Sequence, residues 1–129
     1  MTALIVALVL LGAASAYAAT TAKHYKGKTS QHEPISFTIS AGQIKNLSFF
    51  IDVRCPSGHR YRVYDSHFPS FKITRARFDQ SFFASNPKAT ARVEGRVRAK
   101  SVTGTLTDRT MIKREHHYCG GKSTFKLLK

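Results

Sequence analysis

The sequence is poor in acidic residues. It has seven Asp and Glu against 21 Lys and Arg, so its formal net charge at pH 7 is +14. All of these charged residues lie after residue 18. A surface with such an excess of positive charge attracts polyanions, among them nucleic acid, anionic lipid headgroups and acidic wall or matrix polymers. The alternative is a solvated coat of charge that only keeps the protein soluble.

Long apolar runs are also scarce. The one marked run, residues 3–14, is shorter than the about 20 residues that a membrane-spanning helix needs. The small residues Ala16-Tyr17-Ala18 follow it and match a signal-peptidase cleavage pattern, although no Lys or Arg precedes the run. We therefore expect residues 1–18 to be a cleaved signal peptide with a helical apolar segment. A secreted or cell-envelope protein without a transmembrane span would result, and an uncleaved anchor is the alternative.

Cysteine is limited to Cys55 and Cys119. In an oxidising compartment an isolated pair of cysteines usually forms a disulfide, which is the pairing we expect here. The alternative is a zinc site in which His59 and either His116 or His117 complete a Cys2His2 ligand set. Zinc requires both thiols as thiolates, so oxidation of the pair would remove that site.

The apolar period of an amphipathic helix is missing after the predicted signal, and residues 110–117 come nearest to it. Apolar and polar residues instead alternate over residues 35–39, 47–55 and 91–97. Such alternation indicates strands with one buried face, because successive side chains point to opposite faces of a sheet. Turn signals of Gly, Pro and Asn separate the runs. We predict an all-β fold, either an antiparallel β-sandwich or a flattened barrel of about seven to eight short strands.

The predicted domain organisation is simple. Residues 19–24 form a disordered leader, and residues 25–129 form a single β domain. Residues 66–77 contain Pro69 and are irregular, so we expect a long connection there. Cys55 ends the longest core strand and Cys119 is expected just before the last strand, which predicts a buried disulfide that ties the C-terminal strand to the middle of the domain.

A further set of short motifs follows a recognisable order. They are YKGKTSQ at 25–31, PISFTI at 34–39, GQIKNLSF at 42–49, VEG at 93–95, VTGTL at 102–106 and CGG at 119–121. This order resembles a group of uncharacterised secreted β-domain proteins of actinobacteria and related bacteria. The resemblance implies a compact β fold, secretion and one disulfide, but no activity and no catalytic residue. Residues 107–118, rich in Arg and His, depart from the pattern.

Catalytic motifs are lacking. The run Asp65-Ser66-His67 has the residue types of a hydrolytic triad, but consecutive residues in an extended chain do not converge as a triad requires. The acids are scattered, most at outward positions, so none stands out as a carboxylate pair for glycoside hydrolysis. We expect no cofactor and no enzyme activity, with a secreted enzyme of unrecognised site as one alternative.

The arginines form the clearest candidate site. Alternate positions on the predicted strands would place several of them on one outward face, where guanidinium groups contact phosphate or carboxylate polymers. The predicted anion-binding residues are Arg54, Arg60, Arg62, Arg92, Arg96 and Arg98.

We therefore expect a non-catalytic binding module for anionic polymers or cell-surface components. The other alternative is a protein-interaction or inhibitor domain of the cell envelope. An exposed apolar patch of Phe68, Phe71 and Phe83 around the long connection would be its signature. Exposed aromatic side chains, for which Phe50 is a further candidate, would instead favour single-stranded nucleic acid.

Overall fold

The computed structural model describes residues 21–129. The predicted signal peptide and residues 19–20 of the predicted leader lie outside the described residues. The strands are β1 (Lys23–Lys28), β2 (Pro34–Ser40), β3 (Gln43–Arg54), β4 (Arg60–Asp65), β5 (Phe71–Lys72), β6 (Arg77–Ser85), β7 (Lys88–Val97), β8 (Ser101–Ile112) and β9 (His117–Leu128). Within this range no helix is long and apolar enough to cross a membrane.

The nine described strands form a single antiparallel sheet. Its order is β1-β2-β3-β9-β8-β7-β6, with β4 and β5 also paired to β3. The predicted antiparallel all-β fold is confirmed, and the sheet curls into a half-barrel. The interior is the concave side of this sheet, which is why one face of each long strand is buried.

Strand β3 organises the sheet by using both of its edges. On one edge it pairs first with β2 and finally with β9, where Arg54 lies opposite Gly120. Between these two pairings, the Gln31 side chain accepts a hydrogen bond from Asp52 N at 2.9 Å and donates one to Asp52 O at 3.1 Å. The amide group of Gln31 thus replaces a strand residue. Strands β4 and β5 occupy the other edge.

The buried faces follow the period of two seen in the sequence. Leu47, Phe49, Ile51 and Val53 of β3 are each at most 3% exposed. Their alternation with less buried residues confirms the predicted inward face of this strand.

Three local predictions need correction. Lys23 and His24 pair with β2, so β1 begins inside the segment predicted as a disordered leader. Residues 66–77 are not wholly irregular, because they contain β5. Cys119, expected just before the last strand, lies within β9, in the hairpin that β8 and β9 form.

Two glycines occupy adjacent positions in the sheet. Gly95 of β7 lies opposite Gly104 of β8, and their outer neighbours in the same row are Phe78 of β6 and Phe125 of β9. A Cβ on Gly95 would lie 2.6 Å from the Phe78 ring, and a Cβ on Gly104 would lie 2.5 Å from the Phe125 ring. The two rings therefore cover the glycines on the inner side, and the outer side of the row is left open.

Candidate anion-binding face and a buried carboxyl pair

All six arginines predicted to bind anions are exposed. They do not form one cluster. Arg54 and Arg60 lie opposite each other on β3 and β4, whereas Arg92 and Arg96 lie on β7. The structure therefore divides the predicted site in two.

A shallow groove of about 760 Å³ lies on the outward side of β6, β7, β8 and β9, over the two glycines. One row of residues crosses these four strands in register: Arg77, Arg96, Thr103 and Lys126. Arg98 extends the row, because its Nε donates a hydrogen bond to Thr103 Oγ1 at 3.5 Å. We call Arg77, Arg96, Arg98 and Lys126 the basic row. Four strands span about 14 Å at the usual strand spacing.

Arg77 and Arg96 are direct cross-strand partners. Within residues 21–129, no carboxylate oxygen comes within 4.0 Å of either guanidinium group. Like charges directly opposite each other destabilise a sheet. This arrangement therefore has a cost that an anion lying over the two side chains would relieve. Arg77 is not among the anion-binding residues predicted from the sequence, because it lies in the segment that was predicted to be irregular.

Arg92 is neutralised by its neighbours. Its Nε and Nη2 donate hydrogen bonds to Asp79 Oδ1 and Oδ2 at 2.9 and 2.7 Å, and Nη2 lies 3.3 Å from Glu94 Oε2. The hydrogen bonds from Arg92 lower the pKa of the Asp79 carboxyl group. With two carboxylates around it, Arg92 is a weaker anion site than the sequence predicts.

Arg62 is similarly engaged. Its Nε lies 2.5 Å from Glu33 Oε2, and its guanidinium carbon lies 3.7 Å from the centre of the Phe50 ring. An arginine held by a carboxylate and stacked on an aromatic ring has little freedom to follow a flexible polymer. We therefore place Arg62 outside the strongest part of the site.

The second pair, Arg54 and Arg60, borders a notch of about 400 Å³ that Lys122 and Gln31 also line. Both arginines are exposed, and within residues 21–129 neither guanidinium lies within 4.0 Å of a carboxylate oxygen. Lys122 lies on the same strand as Lys126. The notch and the basic row are thus linked by the outward face of β9.

The cysteines form the predicted disulfide. Cys55 and Cys119 are bonded and almost fully buried, with their Cα atoms 4.4 Å apart. A disulfide indicates an oxidising environment. It also excludes the alternative zinc site, because no thiolate remains to bind the metal.

The histidines of that zinc hypothesis have other roles. His59 Nδ1 lies 2.9 Å from Glu115 Oε1, and this oxygen also accepts hydrogen bonds from Ser57 Oγ and Tyr61 Oη, both at 3.0 Å. His116 adopts a positive φ of 54° in the β8–β9 turn. Within the described part of the chain, no three His, Cys, Asp or Glu residues are grouped so that they could hold a metal ion.

Two acids that each have a buried carboxyl oxygen were not singled out from the sequence: the half-buried Asp65 and the buried Asp108. Asp65 ends β4 and Asp108 lies on the inner face of β8, where it is 1% exposed. Their carboxyl groups interact electrostatically, although β4 and β8 are not neighbours in the sheet. Two causes raise the pKa of the Asp65 carboxyl group to about 8. Burial contributes most, and the neighbouring Asp108 carboxyl group contributes next. The Asp65 carboxyl group therefore carries a proton at neutral pH.

This pair lines a cavity of about 400 Å³. The cavity lies beneath the connection that follows β4, and its opposite wall comes from β6 and β7. Its aromatic wall includes Phe68 and Phe82, whose ring centres are 4.5 Å apart, and Phe83, which is 81% exposed. Ser66 and His67 also line it.

The run Asp65-Ser66-His67, which has the residue types of a hydrolytic triad, does not form one. Ser66 Oγ and His67 Nδ1 are 2.8 Å apart, so these two side chains are joined. Asp65 instead contacts Asp108. The third residue that would orient the imidazole of a triad is therefore engaged elsewhere.

The apolar patch expected on the long connection is largely covered. Phe71 is 5% exposed. The Phe68 ring stacks on Phe49 with 5.6 Å between centres and also contacts Phe82. Phe83, 81% exposed, is the one member of the predicted three that lies mostly in solvent, so the patch that would mark a protein-interaction domain is small.

A comparison of the chain with protein-family models, with curated proteins and with solved structures finds no match. The resemblance to secreted actinobacterial β domains therefore stays a prediction.

Proposed function

We propose that this protein is a secreted or cell-envelope module that binds an anionic polymer without catalysis, through the basic row. The observation that carries the proposal is the direct opposition of Arg77 and Arg96, neither of which has a carboxylate oxygen within 4.0 Å among residues 21–129. Ordinary surfaces interleave charges of both signs, as Arg92 does with Asp79 and Glu94. The basic row departs from that pattern where a groove is present to receive a ligand.

The part of the groove over Arg77 and Arg96 suits a chain of phosphate, sulfate or carboxylate groups, whereas Asp79 and Glu94, which also line the groove, are paired with Arg92. Guanidinium groups offer paired donors to such oxygens. The hydroxyl groups of Thr103, Thr105 and Thr124, which also line the groove, add neutral donors. An extended polymer could continue along β9 over Lys122 to the second arginine pair at Arg54 and Arg60.

The test is retention of the purified protein on heparin and on single-stranded DNA supports over a salt series. Replacing Arg77 and Arg96 together by Gln should lower the elution salt markedly. For single-stranded DNA it should reduce the slope of log affinity against log salt by about 1.4, since each neutralised phosphate contributes about 0.7.

A matched control separates a specific row from overall charge. Lys88→Gln with Lys113→Gln removes the same net charge from exposed positions at the other end of the sheet. Equal losses in the two double variants would overturn the proposal, as would binding by the wild type that does not respond to salt.

A further inference from the structure

The cavity beside Asp65 and Asp108 has an unusual electrostatic character for this chain. Two of the seven acids of the protein line it, and no Lys or Arg does so among the residues that the structure describes. A protein with net charge +14 has therefore placed a local excess of negative charge in one concave site. The partner that such a site complements is a cation.

The polar atoms of the pair are not satisfied by the protein alone. Asp65 Oδ2 and Asp108 Oδ2 are both buried, and neither has a hydrogen-bond donor unless one carboxyl group carries a proton. Asp108 Oδ1, by contrast, accepts a hydrogen bond from Thr110 Oγ1 at 2.5 Å. Buried carboxylate oxygens without donors are costly. A proton shared by the two groups relieves this cost, and a ligand with several N–H donors would relieve it for both groups at once.

The remaining walls define the rest of the ligand. Phe68, Pro69, Phe82 and Ala91 make much of the lining apolar. The volume of about 400 Å³ lies within the range of small-molecule sites. Aromatic faces also attract a cation that comes within about 6 Å of the ring centre.

We propose that this cavity binds a small organic cation, a primary ammonium group carried on an apolar body, with the ammonium between Asp65 and Asp108. The ammonium supplies three donors and no acceptor. It displaces the proton that the two carboxyl groups share, and that proton is released to solvent. Binding therefore ionises the Asp65 carboxyl group.

Proton release gives the site a distinctive pH dependence. The titratable groups that face the pair are His67 on the connection and the two carboxyl groups themselves; the lining residues from β6 and β7 are Gln80, Ser81, Phe82, Phe83, Ala84, Ala89 and Ala91, none of which ionises. Because one proton leaves on binding, the affinity for the amine should rise about tenfold per pH unit between pH 6 and pH 7. The rise should level off near pH 8, where the pair has already lost its proton.

The experiment is an NMR titration of the purified protein with benzylamine, with uncharged benzyl alcohol as the control ligand. Saturable shifts at Ser66, Phe68 and Phe82, tighter at higher pH and absent with the alcohol, support the proposal. Calorimetry in two buffers of different ionisation enthalpy should show one proton released at pH 7. No saturable binding up to about 10 mM, equal binding of the alcohol, or no proton release would overturn it; 10 mM corresponds to about −3 kcal/mol, near the floor of useful affinity.

Two matched variants locate the site. Asp65→Asn keeps a donor to Asp108 but has no proton to release, so benzylamine binding should weaken at least about tenfold at pH 8 and lose its pH dependence. Glu94→Gln makes the corresponding carboxyl-to-amide change on the outward face and should change neither. Unchanged binding in Asp65→Asn would overturn the proposal. If Asp65→Asn does not fold, the calorimetric measurement of proton release by the wild type still tests the proposal. The site is separate from the basic row, so either proposal can fail alone.

Discussion

Gly95 and Gly104 face each other across β7 and β8, and the rings of Phe78 and Phe125 fill the space that their side chains would need. The fit is close on the backbone side as well. A Cβ on Gly95 would lie 2.2 Å from the carbonyl oxygen of Thr103, and one on Gly104 would lie 2.5 Å from that of Glu94. Backbone atoms cannot move aside as a flexible side chain can, so the sheet tolerates only glycine here.

Replacing Gly95 by Ala should therefore lower the free energy of unfolding by about 1–3 kcal/mol, the usual cost of overpacking. Chemical denaturation measures this. Gly120→Ala is the matched control, because a Cβ there meets its nearest atom at 3.6 Å, an ordinary contact. Equal losses at both positions would contradict the packing argument.

The disulfide should account for a large part of the stability. Cys55 and Cys119 are 64 residues apart in sequence, and a loop of that length corresponds to about 4 kcal/mol of chain entropy in the unfolded state. Changing both cysteines to Ala should lower the free energy of unfolding by about this amount, measured in urea. A loss below about 1 kcal/mol would show that the unfolded chain is already restricted.

The buried carboxyl pair should make the stability fall as pH rises. The pKa of Asp65 is about 8 in the folded protein and about 4 in an unfolded chain, so between these values the folded state binds the extra proton. Linkage then predicts that the wild type loses stability from pH 4 to pH 8 relative to Asp65→Asn, with no further difference above pH 8. Thermal denaturation of both proteins over this range is the measurement. Parallel curves would show that the pair is not protonated.

Glu115 should act in the opposite direction. Hydrogen bonds from His59 above all, and from Tyr61 and Ser57, lower the pKa of its carboxyl group in the folded protein. A lowered folded pKa means that its contribution is present above the unfolded value, about 4.3, and is lost as pH falls through the folded one. Glu115→Gln should reduce the melting temperature at pH 7, and the difference should vanish in strong acid. A constant difference at every pH would point to packing rather than charge.

The like-charge pair of Arg77 and Arg96 should affect the free energy of unfolding as well as the binding of anions. Arg77→Gln removes a like-charge cross-strand pair, so in low salt it should raise the free energy of unfolding by about 0.2–1 kcal/mol while weakening retention on heparin. High salt should abolish the gain through screening. A lower free energy of unfolding in Arg77→Gln would instead mean that Arg77 stabilises the fold.

Much of the fold could be read from the sequence because burial in this sheet follows a strict alternation. The inward run from Leu47 to Val53 shows this most clearly. The disulfide followed from the isolation of the two cysteines. The strand β5 was missed because two paired residues are too few to produce a period.

The candidate sites were harder to predict because they depend on contacts across strands. Arg77 is a candidate because it lies directly opposite Arg96. This pairing depends on the register of β6 and β7, which the sequence does not show. Asp108 did have a signal, since it continues the inward positions of Val102 and Leu106 along β8. Its partner Asp65 did not, because the two strands meet across the interior rather than along the sheet.

The position of β9 has a consequence for how the chain reaches this structure. Residues 117–128 lie between β3 and β8 in the sheet, so among the described strands it is β9 that links two strands far apart in sequence. Until β9 has been synthesised, the edges of β3 and β8 that pair with it are therefore both open. Sheets dominated by such distant pairings close slowly. Completion of the sheet should accordingly wait until β9 has been synthesised, and until then the chain is still extended enough to be threaded through a narrow passage or captured by a chaperone.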